Sequence, residues 1–258
     1  MGRAHARSIA LAVAGRHLHI AVRSPSLLLP PLLFPVFLFA AFAGGLSGIG
    51  DARGFDYPDF KAFLFVFVVL QSAAFVGVFV GVALAADIQS GFVRRMIAAA
   101  PGRAPVLTGY LLASLARGAL STAALSALAF ASGMQVSGGP ADVAIVLALA
   151  MTVTAAATLF AAGIALRWRT TQAAPLMQVP VFLAMFLAPV YTPRELMTGW
   201  VRTVADVNPA TLLLETGRDL LAGAPAQVGL SFAATLGATV VLGAWAFLGL
   251  RRAESERA

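Results

Sequence analysis

The hydrophobic positions of this chain fall in long blocks, not in the short alternations or amphipathic stripes of a water-soluble domain. Five stretches without a charged residue run Ser24–Gly50, Ala62–Ala86, Val143–Leu166, Thr170–Pro193 and Leu220–Leu250, each 24 residues or longer. A helix that crosses about 30 Å of hydrocarbon needs about 20 apolar residues, so each block can hold one span. A sixth stretch, Ala104–Ala141, is broken only by Arg117 and has room for one span and a short loop. The pattern predicts an all-α polytopic membrane protein. Its single transmembrane domain covers 1-258, with six transmembrane helices at about 27-49, 62-86, 105-133, 143-166, 172-193 and 227-250.

The segments between the blocks carry patterns of their own. Residues 1-23 are too charged to span, and Leu11, Leu18 and Val22 fall on one side of a helix with Arg16, His19 and Arg23 on the other. This predicts an N-terminal interfacial helix, although the same residues also suit a plain positively charged tail. In 87-103, Phe92, Met96 and either Val93 or Ala99 recur at helical spacing while Arg94 and Arg95 face away, so a short amphipathic helix is expected, ended by Pro101. Such a helix offers a partner an apolar ridge and a charged flank, or lies on lipid headgroups. Residues 194-219 are moderately polar, with Asn208-Pro209 as a helix-start signal, and suit one or two short outer re-entrant helices.

Composition sharpens this picture. With 60% hydrophobic and 11% charged residues, against roughly 25% charged in soluble domains, an ordinary soluble enzyme is excluded. The net charge of +7 comes from 17 arginines and one lysine against 11 acids. Twelve basic residues lie in 1-23, 87-103, 167-169 and 251-258, and five in the loops of opposite sidedness. The positive-inside rule therefore puts both termini in the cytoplasm. Because the basic residues sit where topology needs them, with no aromatic-interleaved stripe, no nucleic-acid partner is expected. Ala41-Phe42-Ala43 resembles a signal cleavage site, but 23 basic-rich residues and Pro30, Pro31 and Pro35 precede it, which a signal peptide does not tolerate well.

Candidate chemistry is sparse. There is no cysteine, and His5, His17 and His19 lie among arginines, as suits a headgroup-facing segment better than a metal site. A P-loop needs Gly-Lys followed by Ser or Thr, whereas the single lysine sits in Phe60-Lys61-Ala62. The chain is thus not expected to be an enzyme by itself, nor to hold a metal or cofactor. If it is driven by ATP, another polypeptide hydrolyses it. Arg117 lies about 18 Å along the third span at about 1.5 Å per residue, close to mid-bilayer. An ionisable residue there is a functional candidate, unless it snorkels or pairs with backbone carbonyls. Gln71, Gln172 and Gln178 are weaker intramembrane polar candidates, and Pro175, Pro180 and Pro189 should kink the fifth span.

These features together resemble the ABC-2 type permeases, the membrane subunits of ATP-binding-cassette exporters, and most closely the daunorubicin-resistance branch of bacterial drug exporters. In that family an Asp, a polar residue, a Gly and a basic-apolar helix ending at Pro and Arg follow the second span. Here these are Asp87, Gln89, Gly91, Arg95, Met96, Pro101 and Arg103. The resemblance implies that 87-103, Arg94 included, is the cytoplasmic coupling helix that docks on the ATPase. A second match runs from Thr171-Gln172-Ala173-Ala174-Pro175 through Pro193, Trp200, Asn208-Pro209 and Arg218, with Glu215 in the same outer segment. The chain departs from the family at Ala188-Pro189, where a Ser-Gly pair is usual, and at Ala210, where a larger apolar residue is usual, which weakens any transfer of substrate preference.

The resemblance implies a permease subunit in the bacterial plasma (inner) membrane. It would pair as homodimer or heterodimer, with membrane lipid around it and ATP and Mg in a separate ABC ATPase. The cargo would be an amphiphilic drug or natural product, with a lipid or polysaccharide as the other possibilities. The alternative class is an ATP-independent six-span channel or ion-coupled carrier, which would line its spans with ionisable residues; only Arg117 qualifies. A membrane scaffold without transport is a third class.

Overall fold

A computed structural model describes residues 2–23, 25–51, 53, 55–99 and 104–255, which form helices, turns and irregular connections with no strand among them. Pro101 and Arg103 lie outside the described residues. The first helix, α1 (Gly2–Arg23), leads into α2 (Pro25–Gly45) and a 3-10 turn at Ser47–Asp51. Asp59 then caps α3 (Phe60–Gln89) by accepting from the Lys61 amide at 2.9 Å, the interaction that opens a helix after an extended residue. After α3 come α4 (Phe92–Ala99), α5 (Ala104–Ala131), α6 (Pro140–Trp168), α7 (Ala174–Phe186), α8 (Gly199–Val207), α9 (Pro209–Ala222) and α10 (Val228–Ser255).

Among the described residues, four helices are long and apolar enough to cross a membrane: α3, α5, α6 and the Val228–Gly249 part of α10. They coincide with four of the six expected blocks. The other two carry shorter apolar helical stretches, Leu33–Gly45 and Thr171–Phe186. The block expected to span 172-193 is helical only to Phe186, and the 13 residues of α7 reach about 20 Å at about 1.5 Å per residue. Pro180 inside α7 removes an internal hydrogen bond, and Pro189 disfavours helical geometry at Ala188, so the helix stops early.

The bundle is organised around α3, whose residues 62 to 74 are all buried. Small residues bring α6 against it. A Cβ on Gly77 would stand 2.6 Å from the Thr158 backbone nitrogen, so only glycine allows this approach. Ser114 and Thr158 share a 2.6 Å hydrogen bond between α5 and α6. Where lipid tails surround a bundle, such close packing and interhelical hydroxyl bonds supply the association energy that the hydrophobic effect does not.

α1 packs along α5 through Ile9, Ala10, Val13, Ala14 and His17. The sequence pattern favoured Leu11, Leu18 and Val22 as one apolar face. Leu11 is in fact 62% exposed, and the inward face is built of smaller residues that let the two helices approach.

Candidate functional site

Two charged clusters sit at opposite ends of α3. The first gathers around Asp87, in its last turn. Tyr110 on α5 donates its hydroxyl to Asp87 Oδ2 at 2.6 Å, and Arg16 Nη1 on α1 donates to the same oxygen at 3.1 Å. His17 Nε2 lies 3.0 Å from it, and the imidazole packs on the Tyr110 ring at 4.4 Å between centroids. The carboxylate therefore ties three helices together. His17 is 4% exposed, so it faces inward instead of toward headgroups. Sequence reasoning missed Arg16, His17 and Tyr110 as a group. Their shared acceptor lies 71 residues from Arg16, and the only early signal was an acid placed at a span end.

The segment after Asp87 is built to project. Ser90 ends α3, and Gly91 takes a left-handed conformation (φ 72°) that a side chain would strain. α4 then starts with Val93 buried, Phe92 beneath the Arg16 guanidinium at 3.9 Å, and Met96 half-buried. Arg94 and Arg95 are exposed. Gln89 reaches the loop after α6. Its Nε2 donates to Thr170 Oγ1 at 3.1 Å, and its Oε1 accepts from the Thr171 amide at 3.3 Å. Gln172, beside that contact, is exposed, and Gln178 on α7 is half-buried.

Two further intramembrane candidates are buried. Gln71 is fully enclosed in α3, and neither end of its amide has a protein partner. Arg117 on α5 is 8% exposed, and its Nη2 donates to the His17 carbonyl at 3.2 Å. The side chain thus turns toward α1 and meets a backbone carbonyl there.

The second cluster surrounds Arg218 on α9. Asn208 caps this helix by accepting from the Ala210 amide at 3.0 Å, Pro209 takes its first position, and Asn208 Nδ2 donates to the Ala184 carbonyl at 2.6 Å. The fixed helix drives Arg218 into the bundle. Its Nε donates to Phe63 O at 3.2 Å, its Nη2 to Val190 O at 3.0 Å, and the guanidinium lies 3.4 Å from the Phe63 ring centroid. Glu215, one turn away, accepts from Arg194 Nε at 3.1 Å.

A polar cavity of about 220 Å³ opens here, with Tyr57, Glu195, Glu215, Arg218, Asp219 and Gln227 in its wall. Burial pushes the Tyr57 phenol up to about 12, and Asp219 adds to it. Burial also holds the Glu215 and Asp219 carboxyls above the usual range, while Arg194 pulls the first back and Arg218 the second. Burial draws Arg218 down to about 9 against Tyr57, Glu215 and Asp219. Between the two ends lies an apolar cavity of about 390 Å³, bordered by Phe160, Pro180, Met185, Leu213, Ala238 and Leu242.

The sequence profile of the ABC-2 type transporters matches residues 10–221. The chain belongs to that family. The match takes in both charged clusters, α4 and the buried α3, and ends at the last turn of α9. As an ABC-2 type protein it is the permease component of an ABC transporter, a membrane protein that normally works with an ABC ATPase. None of the curated proteins matches the sequence.

Proposed function

We propose that this permease is the membrane half of an ATP-driven exporter. It would move an amphiphilic drug or natural product out across a bacterial plasma membrane, through six spans per subunit and two permease subunits per complex. The observation that carries the reading is α4, a short helix with an apolar side held against the bundle and Arg94 and Arg95 presented outward. A docking partner can grip such a helix by charge and move it by its apolar anchor. In this reading the α4 end is cytoplasmic, both termini lie on that side, and ATP and Mg are held by a separate ATPase chain.

The coupling route follows from the contacts. Closure of the ATPase subunits presses on α4, and Gln89 and the Asp87 cluster pass the displacement to the loop after α6, to α1 and to α5. The apolar cavity suits the hydrocarbon part of an amphiphile, since pockets lined by apolar side chains with few polar groups bind such ligands. The branch similar to daunorubicin-resistance exporters favours a drug-like cargo over a lipid or polysaccharide.

The test is to purify the full chain from its native membranes in mild detergent and identify what remains bound by mass spectrometry. A Walker-motif ATPase in about equal amount, lost in the Arg94→Glu/Arg95→Glu variant, is the expected result. Purification of the chain alone, repeated under crosslinking, would overturn it in favour of an ATP-independent carrier.

A further inference from the structure

Among the described residues, Arg117 is a buried cation whose charge meets no carboxylate. Arg16 pairs with Asp87, Arg194 with Glu215, and Arg218 has two carbonyls and an aromatic face. Arg117 has one hydrogen bond, to the His17 carbonyl, and its Nε is buried without a partner. A guanidinium carries five N–H donors and stays protonated, so most of this one's donors are left without a protein acceptor. Burying a charge in that condition is costly unless something outside the chain completes it.

The surroundings indicate what completes it. Leu112, Ala116 and Leu120 form an exposed apolar stripe at i, i+4 and i+8 on α5, about 100° around the helix from Arg117 at 3.6 residues per turn. On the neighbouring helix, Leu11 is exposed, as are His19 and Arg23, and α1 contains no acidic residue at all. The guanidinium itself is drawn toward α1, at the level of the Asp87 cluster. An apolar stripe alongside a buried cation, next to a helix whose charged residues are all basic, complements a molecule with a hydrocarbon body and an anionic head.

We propose that Arg117 receives the anionic head, a phosphate or carboxylate, of a membrane amphiphile whose hydrocarbon lies along Leu112, Ala116 and Leu120. The source is the bilayer's own anionic phospholipids, whose headgroups are drawn to basic segments such as α1. The site stands whether or not an ATPase drives the permease.

The test uses the purified full chain, with phosphatidylglycerol, phosphatidylcholine or inorganic phosphate added. Bound lipid is counted by native mass spectrometry and thermal stability is followed by tryptophan fluorescence. The expected result is retention of phosphatidylglycerol at least tenfold above phosphatidylcholine. Arg117→Gln should abolish the preference, while Arg117→Lys keeps part of it and Arg202→Gln, at the other end of the bundle, leaves it intact. Equal retention of the two lipids, or an unchanged preference in Arg117→Gln, would overturn the site. Stabilisation by inorganic phosphate equal to that by phosphatidylglycerol would overturn the membrane source and leave a site for free anions.

If Arg117→Gln does not fold, photoreactive phosphatidylglycerol on the wild-type protein decides the matter. Labelling should concentrate on 109-120 over the more exposed α10 surface at Val240 and Val241. Even labelling of both would sink the proposal.

Discussion

Asp87, in the last turn of α3, and Arg218, packed from α9 against the first turn of α3, are two buried charges held in opposite ways. Asp87 accepts side-chain hydrogen bonds from Arg16 and Tyr110, with the His17 imidazole 3.0 Å away, so its neighbours depend on it as much as it depends on them. Arg218 is a donor held by backbone carbonyls and a ring, while the acids that balance it stand further out around a cavity. Removing the first strands charged and polar partners. Removing the second relieves a desolvated cation and leaves mainly the Val190 carbonyl without its donor. Arg218, although the more deeply enclosed of the two, should therefore contribute less to stability than Asp87.

The largest expected effect tests this directly. Asp87→Ala should cost about 3 kcal/mol, because it leaves buried donors without their counter-charge. Arg218→Met, close in length and apolar, should cost no more than about 1 to 2 kcal/mol. Unfolding midpoints of the two variants in the same detergent check the ranking, and equal losses would break it. Tyr110→Phe comes next, at about 2 kcal/mol for a hydrogen bond to a charged acceptor. The same unfolding assay reads it, and a loss near zero would mean that Arg16 and His17 suffice for Asp87.

A smaller effect depends on pH at the Arg218 end. Glu215 has a raised pKa in the folded chain, so the folded state binds its proton more tightly than the unfolded state does. The stability linked to that proton is fully present below the ordinary carboxyl range and is lost as pH rises through the raised value. Acidification from neutrality should thus stabilise the wild type relative to Glu215→Gln. Midpoints measured across the acidic range should diverge in that direction, and parallel profiles would remove the burial account of this carboxyl. The smallest effect is spectroscopic. The phenolate difference spectrum between wild type and Tyr57→Phe should appear near pH 12 instead of 10, and a transition at 10 would place Tyr57 in open solvent.

The long helices were legible because burial in lipid imposes a simple rule, a charge-free run of sufficient length; α3, α6 and α10 obey it, and α5 departs from it only at Arg117. The rule counts residues and ignores backbone geometry, so it does not foresee that the regular helix in the block that holds α7 ends at Phe186, with Pro180 inside it and Pro189 just beyond. The inward face of α1 was hidden for another reason. Close helix contact selects small residues such as Ala10 and Ala14, whereas hydrophobic patterning gives most weight to large ones such as Leu11. The Asp87 segment was found through resemblance and spacing. Its partners were invisible, since Arg16 and Tyr110 reach it only after three helices have packed. Arg218 read as an outer charge because nothing local distinguishes a guanidinium pointing to water from one pointing to a carbonyl of α3.

The Gln89 bridge to Thr170 and Thr171 has a mechanical consequence. Its two hydrogen bonds are exposed to solvent, each worth about 1 kcal/mol, whereas the α3 and α6 helices behind them are joined by close-packed backbone. When α4 is displaced, this bridge stretches before the packing yields. It behaves as the compliant element of a stiff frame, and the position of such an element decides where the first slip occurs and how much travel reaches the far end.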